Sequence, residues 1–289
     1  MRAVRLVVLL VAAPLAPVAS QTVHYEGSLN GSTGRYIFSE RTTAAVWTTG
    51  LALGLGRMTV RASIPVWWQN TPLITGSGAG LIPSGGGGAR SRAVADSGAV
   101  RRGRHGSGRL GRIIGPALAT FDPAVPVEVT EQFRTVVGDP LVSTSLRVLS
   151  GRTGLNIAMG AKLPVADTGS FGTGRWDVGG SASVSFRPNN LTLIGFDVSY
   201  WHLGDLAELD FRDPVSAGVS VSRLFGTSWG GMASAAAATS SLDGFAGPAS
   251  IGGALTRFAG ESAWGLGLSL GLSETSPDVS GGVTWRIGF

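Results

Sequence analysis

The sequence has no cysteine and little charge. Asp, Glu, Lys and Arg make up 14% of its 289 residues, whereas soluble domains have about a quarter. Without cysteine the chain has no disulfide bonds and no thiol chemistry, so packing and backbone pairing must stabilise the fold. The net charge of +5 is too small and too dispersed to indicate a nucleic-acid partner. A hydrophobic share of 43% argues against a largely disordered chain.

Long apolar runs are also lacking, except at the start. Residues 1–20 match a secretory signal peptide, with Gln21 as the expected first residue of the mature chain. The features are a charged start, an apolar core and small residues before the cleavage site: Arg2, Arg5, Leu6–Leu15, Val18, Ala19 and Ser20. Pro14 interrupts the core, which is too short for a transmembrane helix, and no cysteine follows that could carry a lipid anchor.

The rest of the chain, 21–289, has no run long enough for a membrane-spanning helix. Any insertion into a membrane would therefore require a closed barrel, in which every backbone group is paired. Gly accounts for 45 residues, and a chain rich in small residues and poor in charge suits a barrel whose interior is lined by small side chains.

Two runs near the end of the chain alternate between large apolar and small residues. Trp264, Leu266, Leu268, Leu270 and Leu272 are separated by single Gly or Ser residues, and Val283, Trp285, Ile287 and Phe289 continue the pattern in the last segment. A period of two is typical of β-strands, because successive side chains point to opposite faces. A soluble sandwich buries its large face, whereas a transmembrane barrel turns that face to lipid and keeps small residues inside.

Similar runs recur along the mature chain and predict an all-β fold. The expected strands are 22–30, 44–55, 58–68, 141–149, 155–164, 176–187, 192–202, 213–225, 229–241, 249–258, 264–273 and 278–289. Short turns near 56, 151, 189, 227 and 260 alternate with longer connections, as in bacterial outer-membrane barrels. The sequence therefore predicts a transmembrane antiparallel up-and-down β-barrel of about twelve strands. The first strand is the weakest, and the faces of the alanine-rich run 229–241 cannot be assigned.

The connection between the third and fourth strands, about 70–140, has no sustained period and is expected to be a long outer loop. It contains Gly85–Gly88 and an arginine cluster: Arg101, Arg102, Arg104, Arg109 and Arg112. Guanidinium groups bind phosphates bidentately, so the cluster could contact lipopolysaccharide. It could also fold into the barrel mouth and narrow it, or form a solvated tip.

Tryptophan is placed mostly at the ends of the predicted strands. Aromatic rings favour the headgroup level of a membrane because they join an apolar body to a polar tip. The expected girdle comprises Trp47, Trp68, Trp176, Trp229, Trp264 and Trp285, with Trp201 also near a strand end. Trp67 has the parity of an inward-facing residue.

By the same alternation, several charged residues face the lumen. They are Arg61, Arg147, Lys162, Arg187, Arg286, Asp177 and Asp197. Arg61, Arg147 and Lys162 come from successive strands and are expected to lie near one another, with Arg286 adjacent through the first strand. Such an arc would favour anions. Alternatively, the basic residues pair with acids and brace the barrel.

The end and the middle of the chain resemble known outer-membrane proteins. Bacterial outer-membrane barrels end on an aromatic residue, as this chain does at Phe289. The resemblance implies that Phe289 is the signal read by the barrel assembly machinery.

A second resemblance rests on three short motifs. Gly138-Asp139-Pro140, Lys162-Leu163-Pro164 and Gly172-Thr173-Gly174 occur in this order, followed by Asp177. This order is similar to the outer-membrane family named for the meta-pathway of phenol degradation, which is related to fatty-acid and toluene channels of Gram-negative bacteria. The likeness is clearest over 137–186 and implies a barrel that passes small, often hydrophobic or aromatic, molecules. The segment before the first confident strand is too short for the full N-terminal plug of the fatty-acid channels.

Residues for catalysis or metal binding are sparse. His24, His105 and His202 are scattered without metal-ligand spacing, and the glycine runs lack the strand-to-helix context of a phosphate loop. The sequence predicts no enzyme, cofactor or metal. We expect a Gram-negative outer-membrane channel with a small-molecule solute, in contact with membrane lipid and lipopolysaccharide. The alternatives are an interaction barrel with a blocked lumen and an outer-membrane lipid hydrolase that uses His202 and a serine.

Overall fold

The computed structural model describes residues 21–84, 133–166, 173–205 and 210–289. These residues form fifteen β-strands: β1 (Gln21–Gly34), β2 (Thr42–Leu55), β3 (Met58–Gln69), β4 (Ile74–Ser77), β5 (Gly80–Pro83), β6 (Arg134–Val137), β7 (Leu141–Leu149), β8 (Thr153–Lys162), β9 (Asp177–Asn189), β10 (Thr192–His202), β11 (Val215–Phe225), β12 (Trp229–Ala238), β13 (Ala249–Ala259), β14 (Ser262–Gly271) and β15 (Val279–Gly288). No helix long and apolar enough to span a membrane occurs in these four ranges.

Thirteen of the strands form one closed antiparallel sheet. Each strand from β7 to β15 pairs with the next, β15 pairs with β1, and β1, β2 and β3 pair in turn. β3 then pairs with both β6 and β7, which are two segments of one wall strand interrupted at Gly138–Pro140. The wall therefore has twelve strands, and the predicted barrel is confirmed.

The wall presents its large apolar side chains to the outside. Leu266, Leu268 and Leu272 are each about 60% exposed, whereas the alternate residue Gly265 is buried. An apolar face that no protein covers is typical of a barrel whose solvent is lipid. Serines meet on the inner face, where Ser269 Oγ lies 2.6 Å from Ser280 Oγ and Ser199 Oγ lies 2.6 Å from Ser216 Oγ.

The connections alternate in length as predicted. Short turns join β2–β3, β7–β8, β9–β10, β11–β12 and β13–β14 at the barrel end that also holds Gln21 and Phe289, here called the turn end. Glycines with positive φ allow four of these turns: Gly56, Gly151, Gly226 and Gly260. The longer connections meet at the opposite end, here called the loop end.

Part of the expected long outer loop over about 70–140 lies within the described residues, at 70–84 and 133–140. Residues 74–83 form the β4–β5 hairpin, a separate two-stranded sheet, and 134–137 form β6, which pairs with the loop end of β3. Gly85–Gly88, the arginine cluster, His105, Gly172 and the expected signal peptide lie outside the described residues.

Pairing also settles two strands that the sequence defined poorly. β1 is longer than expected and closes the barrel between β2 and β15. β12 is placed by β11, where Val219 pairs with Ala235 and Ser220 with Ser234. Ala235 therefore faces out and Ser234 faces in.

Candidate functional site: a lumen crossed by a hairpin

The β4–β5 hairpin lies inside the loop end of the barrel. It contacts the inward-facing residues Trp67 of β3 and Trp201 of β10, which belong to strands four positions apart around the wall. The hairpin therefore crosses the lumen rather than extending away from it.

Glycines provide the space for Trp201. A Cβ atom at Gly78 of the hairpin or at Gly179 of β9 would clash with the indole ring, and one at Gly160 of β8 would lie 3.2 Å from Cη2. The ring is thus held between the wall and the hairpin. Trp201 lies near a strand end but is not part of the outer girdle, because it has inward parity and the glycines on that face accept its ring.

Trp67 is held in the same way on the opposite side of the hairpin. It is buried, and a Cβ at Gly76 would lie 2.6 Å from its Cζ2 atom. A Cβ at Gly138, in the interruption between β6 and β7, would clash with the indole nitrogen. Gly138 is therefore a motif residue whose small size is needed for the hairpin contact.

Two apolar clusters pack the hairpin against loops of the loop end. One joins Leu73 and Ile74 to Tyr36 and Phe38 of the β1–β2 loop. The other joins Ile82 of β5 to four residues of the β10–β11 and β12–β13 loops: Leu203, Phe211, Leu242 and Phe245. Ile74 is fully buried, and burial raises the pKa of the Tyr36 hydroxyl above its ordinary value. Packing of this extent is typical of a protein core rather than of a surface loop.

A buried lysine forms the polar part of the loop end. Lys162 Nζ donates hydrogen bonds to Asp139 Oδ2 at 2.8 Å, Thr173 Oγ1 at 2.9 Å and the Arg175 carbonyl at 2.9 Å. Lys162, Asp139 and Thr173 are all at least 94% buried. A buried ammonium group with all three donors occupied avoids most of the cost of leaving water.

Two aspartates complete this cluster, and their carboxylates accept hydrogen bonds from loop amides. Asp139 Oδ1 accepts hydrogen bonds from the amides of Val165 and Ala166 at 3.0 and 2.8 Å. Asp177, which is fully buried, accepts one from Gly78 at 2.8 Å and one from Gly204 at 3.0 Å. Asp177 Oδ2 is also 3.6 Å from Lys162 Nζ. Asp177 therefore connects the hairpin, the β10–β11 loop and the lysine.

The described motif residues thus come together at the loop end. Asp139, Lys162 and Asp177 form one charge cluster, and Gly138 lies against Trp67. Gly174 has a positive φ of 63° in the β8–β9 loop, and Pro164 follows the end of β8. The sequence resemblance identified these positions together, although spacing alone could not have placed them in contact.

The turn half of the lumen is lined by arginine. Arg61 and Arg147 share a cavity of about 630 Å³ with Arg57 and Arg187, and Lys162 does not line it. Arg61 Nε pairs with Glu26 Oε2 at 3.2 Å, a partner that sequence reasoning missed. The expectation of one basic arc that includes Lys162 is therefore wrong, because Lys162 is buried and bonded to Asp139 and Thr173 at the loop end.

The other predicted site residues lie on the faces that their parity indicated. Asp197 is in the lumen against Gly218. Arg286 of β15 is the backbone pairing partner of Glu26 of β1. On the outer face, Trp264 and Trp285 are adjacent near the turn end with Trp229 two strands further along the wall, and Trp47, Trp68 and Trp176 lie toward the loop end. Phe289 is 79% exposed, and its amide donates to the Val23 carbonyl at 3.1 Å.

His202 has an acidic partner on the outer face, which the sequence did not suggest. Its Nδ1 atom lies 3.0 Å from Asp213 Oδ2, to which Tyr200 also donates at 2.6 Å. Burial alone would raise the pKa of Asp213, but hydrogen bonds from Tyr200, His202 and the Leu203 amide lower it. In the described part of the chain no serine hydroxyl bonds to His202, and no group of His, Asp or Glu side chains could hold a metal ion.

Comparison with known proteins shows a shared fold without a shared sequence. No protein-family model matches, and no curated protein matches significantly. The structure is similar to an outer membrane channel from Pseudomonas putida F1, with a TM-score of 0.58 and 10% identity over 94% of this chain and 96% of the channel. The CymD monoaromatic hydrocarbon channel (TM-score 0.46, 11% identity, 94% and 89% covered) and the P. putida toluene transporter TodX (0.41, 10%, 95% and 91%) are also found. Their TM-scores are too low to support an inference.

The closed wall, its apolar outer face and the first match define a transmembrane antiparallel β-barrel. Within this class the chain is a twelve-stranded barrel whose loop end is crossed by its own hairpin. The likeness to the phenol meta-pathway family still rests on the sequence motifs alone.

Proposed function

We propose that the chain is a channel of the Gram-negative outer membrane through which small molecules, including hydrophobic and aromatic ones, pass passively. The turn end would face the periplasm, as the short turns of outer-membrane barrels do. The main support for this proposal is the space inside the barrel. The lumen contains cavities of about 630 and 550 Å³, each large enough for a small solute.

Uptake by intact Gram-negative cells tests this proposal, because small aromatic molecules cross plain lipid vesicles unaided. Cells that produce the barrel should take up labelled toluene faster than cells that do not. Ser220 faces the lumen, and its neighbour Val221 is 47% exposed on the outer face. Ser220→Trp should slow uptake by narrowing the lumen, whereas Val221→Trp should leave it unchanged. Equal uptake with and without the folded barrel would refute the proposal.

A barrel with a blocked lumen is the second candidate. The hairpin that crosses the loop end favours it, since both Trp67 and Trp201 are packed against that hairpin. Such a barrel would act through its outer loops. Equal uptake by wild type, Ser220→Trp and cells without the barrel would support this candidate over a channel.

A further inference from the structure

The turn half of the lumen has two adjoining cavities of unlike chemistry. The first, of about 550 Å³, is lined in part by Arg187 and Arg223 and otherwise mainly by large apolar side chains on strands that follow one another around the wall: Leu193, Leu224, Met232 and Phe258. These residues share the inward parity of Ser222 and Ala254, so they depart from the small and polar lining found elsewhere in the lumen. Gly230 lies between Leu224 and Phe258, and a Cβ there would be 3.2 Å from the Phe258 ring.

The second cavity, of about 630 Å³, is basic. Arg57, Arg61, Arg147 and Arg187 line it, and none of its lining residues is acidic. Only Arg61 has a carboxylate partner, Glu26, among the described residues. Arg57, Arg147 and Arg187 form no ion pair in that part of the chain. Three unpaired guanidinium groups facing one aqueous cavity attract anions.

Arg187 connects the two cavities, because it lines both. It extends inward from the turn end of β9, next to Leu193 of β10. Arg147 lines the basic cavity together with Arg187, so a carboxylate bound in that cavity has both guanidinium groups around it. The apolar body attached to that carboxylate would then lie beside Leu193, Leu224 and Phe258.

We propose that this half of the lumen binds amphiphilic monoanions, in particular carboxylates with an apolar body about the size of a benzene ring. This inference rests on the proposed channel and specifies its solute class. Guanidinium groups suit a carboxylate, which they bind bidentately. The apolar lining removes the body of the same molecule from water. Neutral hydrocarbons would use only one of the two cavities, and small hydrophilic anions only the other.

Equilibrium dialysis of the barrel in lipid nanodiscs tests the inference, with empty nanodiscs subtracted. The probes are 4-phenylbutyrate, its neutral analogue 4-phenylbutanol, and butyrate. Phenylbutyrate should bind about tenfold more tightly than either of the others, a difference of about 1.4 kcal/mol. Its affinity should also fall as salt rises, since salt screens the arginines. Equal affinities for phenylbutyrate and phenylbutanol in the wild type would overturn the inference without any variant.

Matched variants assign the two parts of the site. Arg147→Gln with Arg187→Gln should reduce phenylbutyrate binding about tenfold and leave phenylbutanol unchanged. The control, Arg152→Gln with Arg257→Gln, removes the same charge from two arginines that stack on outer-face aromatic rings. It should change nothing. Equal losses in both double variants would also overturn the inference.

The apolar cavity is tested by the double variant Leu224→Ser with Met232→Ser. Its control is the outward-facing double variant Val219→Ser with Val221→Ser. Only the first pair should weaken phenylbutyrate, and butyrate should be unaffected. Heat-modifiable electrophoresis verifies that each variant is folded. If the barrel binds phenylbutyrate selectively but cells that produce it take up toluene no faster than cells that do not, the proposed channel is refuted and the binding site stands. If toluene uptake is faster but the barrel does not bind phenylbutyrate selectively, the binding site is refuted and the channel stands.

Discussion

Single glycines determine where the lumen tryptophans can lie. A Cβ at Gly179 would clash with the Trp201 ring, whereas a Cβ at the neighbouring Gly180, on the outer face, would make an ordinary contact of 3.4 Å with the Ala158 carbonyl. We expect Gly179→Ala to destabilise the barrel by about 1–3 kcal/mol, as overpacking does. Gly180→Ala should have little effect.

Urea unfolding of both glycine variants measures this difference through the shift in midpoint. Equal midpoints for Gly179→Ala and wild type would mean that Trp201 is not held against β9. Gly180→Ala is a matched control for Gly179→Ala, because both substitutions add one methyl group to adjacent positions of the same strand.

The assignment of inner and outer faces is tested by a second adjacent pair. Leu268 is 59% exposed on the outer face, and Ser269 faces the lumen opposite Ser280. Leu268→Arg should cost about 2–4 kcal/mol because it places a charge in lipid. Ser269→Arg should cost much less, since the lumen can hydrate the guanidinium. Similar losses in folding free energy would show that the faces are misassigned.

At the level of elements, the hairpin depends on Asp177. Its carboxylate accepts the amides of Gly78 and Gly204 and lies near Lys162. Asp177→Asn keeps the shape but removes the charge and one acceptor. We expect this change to destabilise the docked hairpin by about 1–3 kcal/mol, the range for a charged hydrogen-bonded group.

Amide hydrogen exchange resolves this effect, because it reports local opening separately from global unfolding. Exchange should accelerate at 74–83 in Asp177→Asn and remain slow in the wall strands. Asp197→Asn is the control, since Asp197 is a lumen carboxylate of β10 that lies against Gly218 of β11. Unchanged exchange at 74–83 in Asp177→Asn would contradict the role given to Asp177.

The sequence predicted the wall well and the interior poorly, for a physical reason. Along β14 and β15 every second side chain meets lipid, so a period of two is visible in the sequence itself. The β4–β5 hairpin carries no such period, because its residues pack against loops from distant parts of the chain. The pairing of Arg61 with Glu26 was missed for the same reason: the two residues lie 35 positions apart and meet only after β1, β2 and β3 pair.

At the level of the whole molecule, the lumen arginines divide into two roles. Arg61 is paired with Glu26, whereas Arg147 has no ion-pair partner among the described residues. Arg147→Gln should therefore reduce anion preference at low salt, and Arg61→Gln should reduce thermal stability more than selectivity. Reversal potentials in a salt gradient and melting curves separate the two roles. A larger loss of selectivity in Arg61→Gln would reverse the assignment.

The central claim, that the barrel encloses a passage, is tested most directly by ion conductance in a planar lipid bilayer. Folded wild-type protein should produce discrete current steps. Asp177→Asn should produce larger or more variable steps, because its hairpin is held less firmly in the loop end. The absence of steps from folded protein in both forms would contradict the claim and identify a barrel with a blocked lumen.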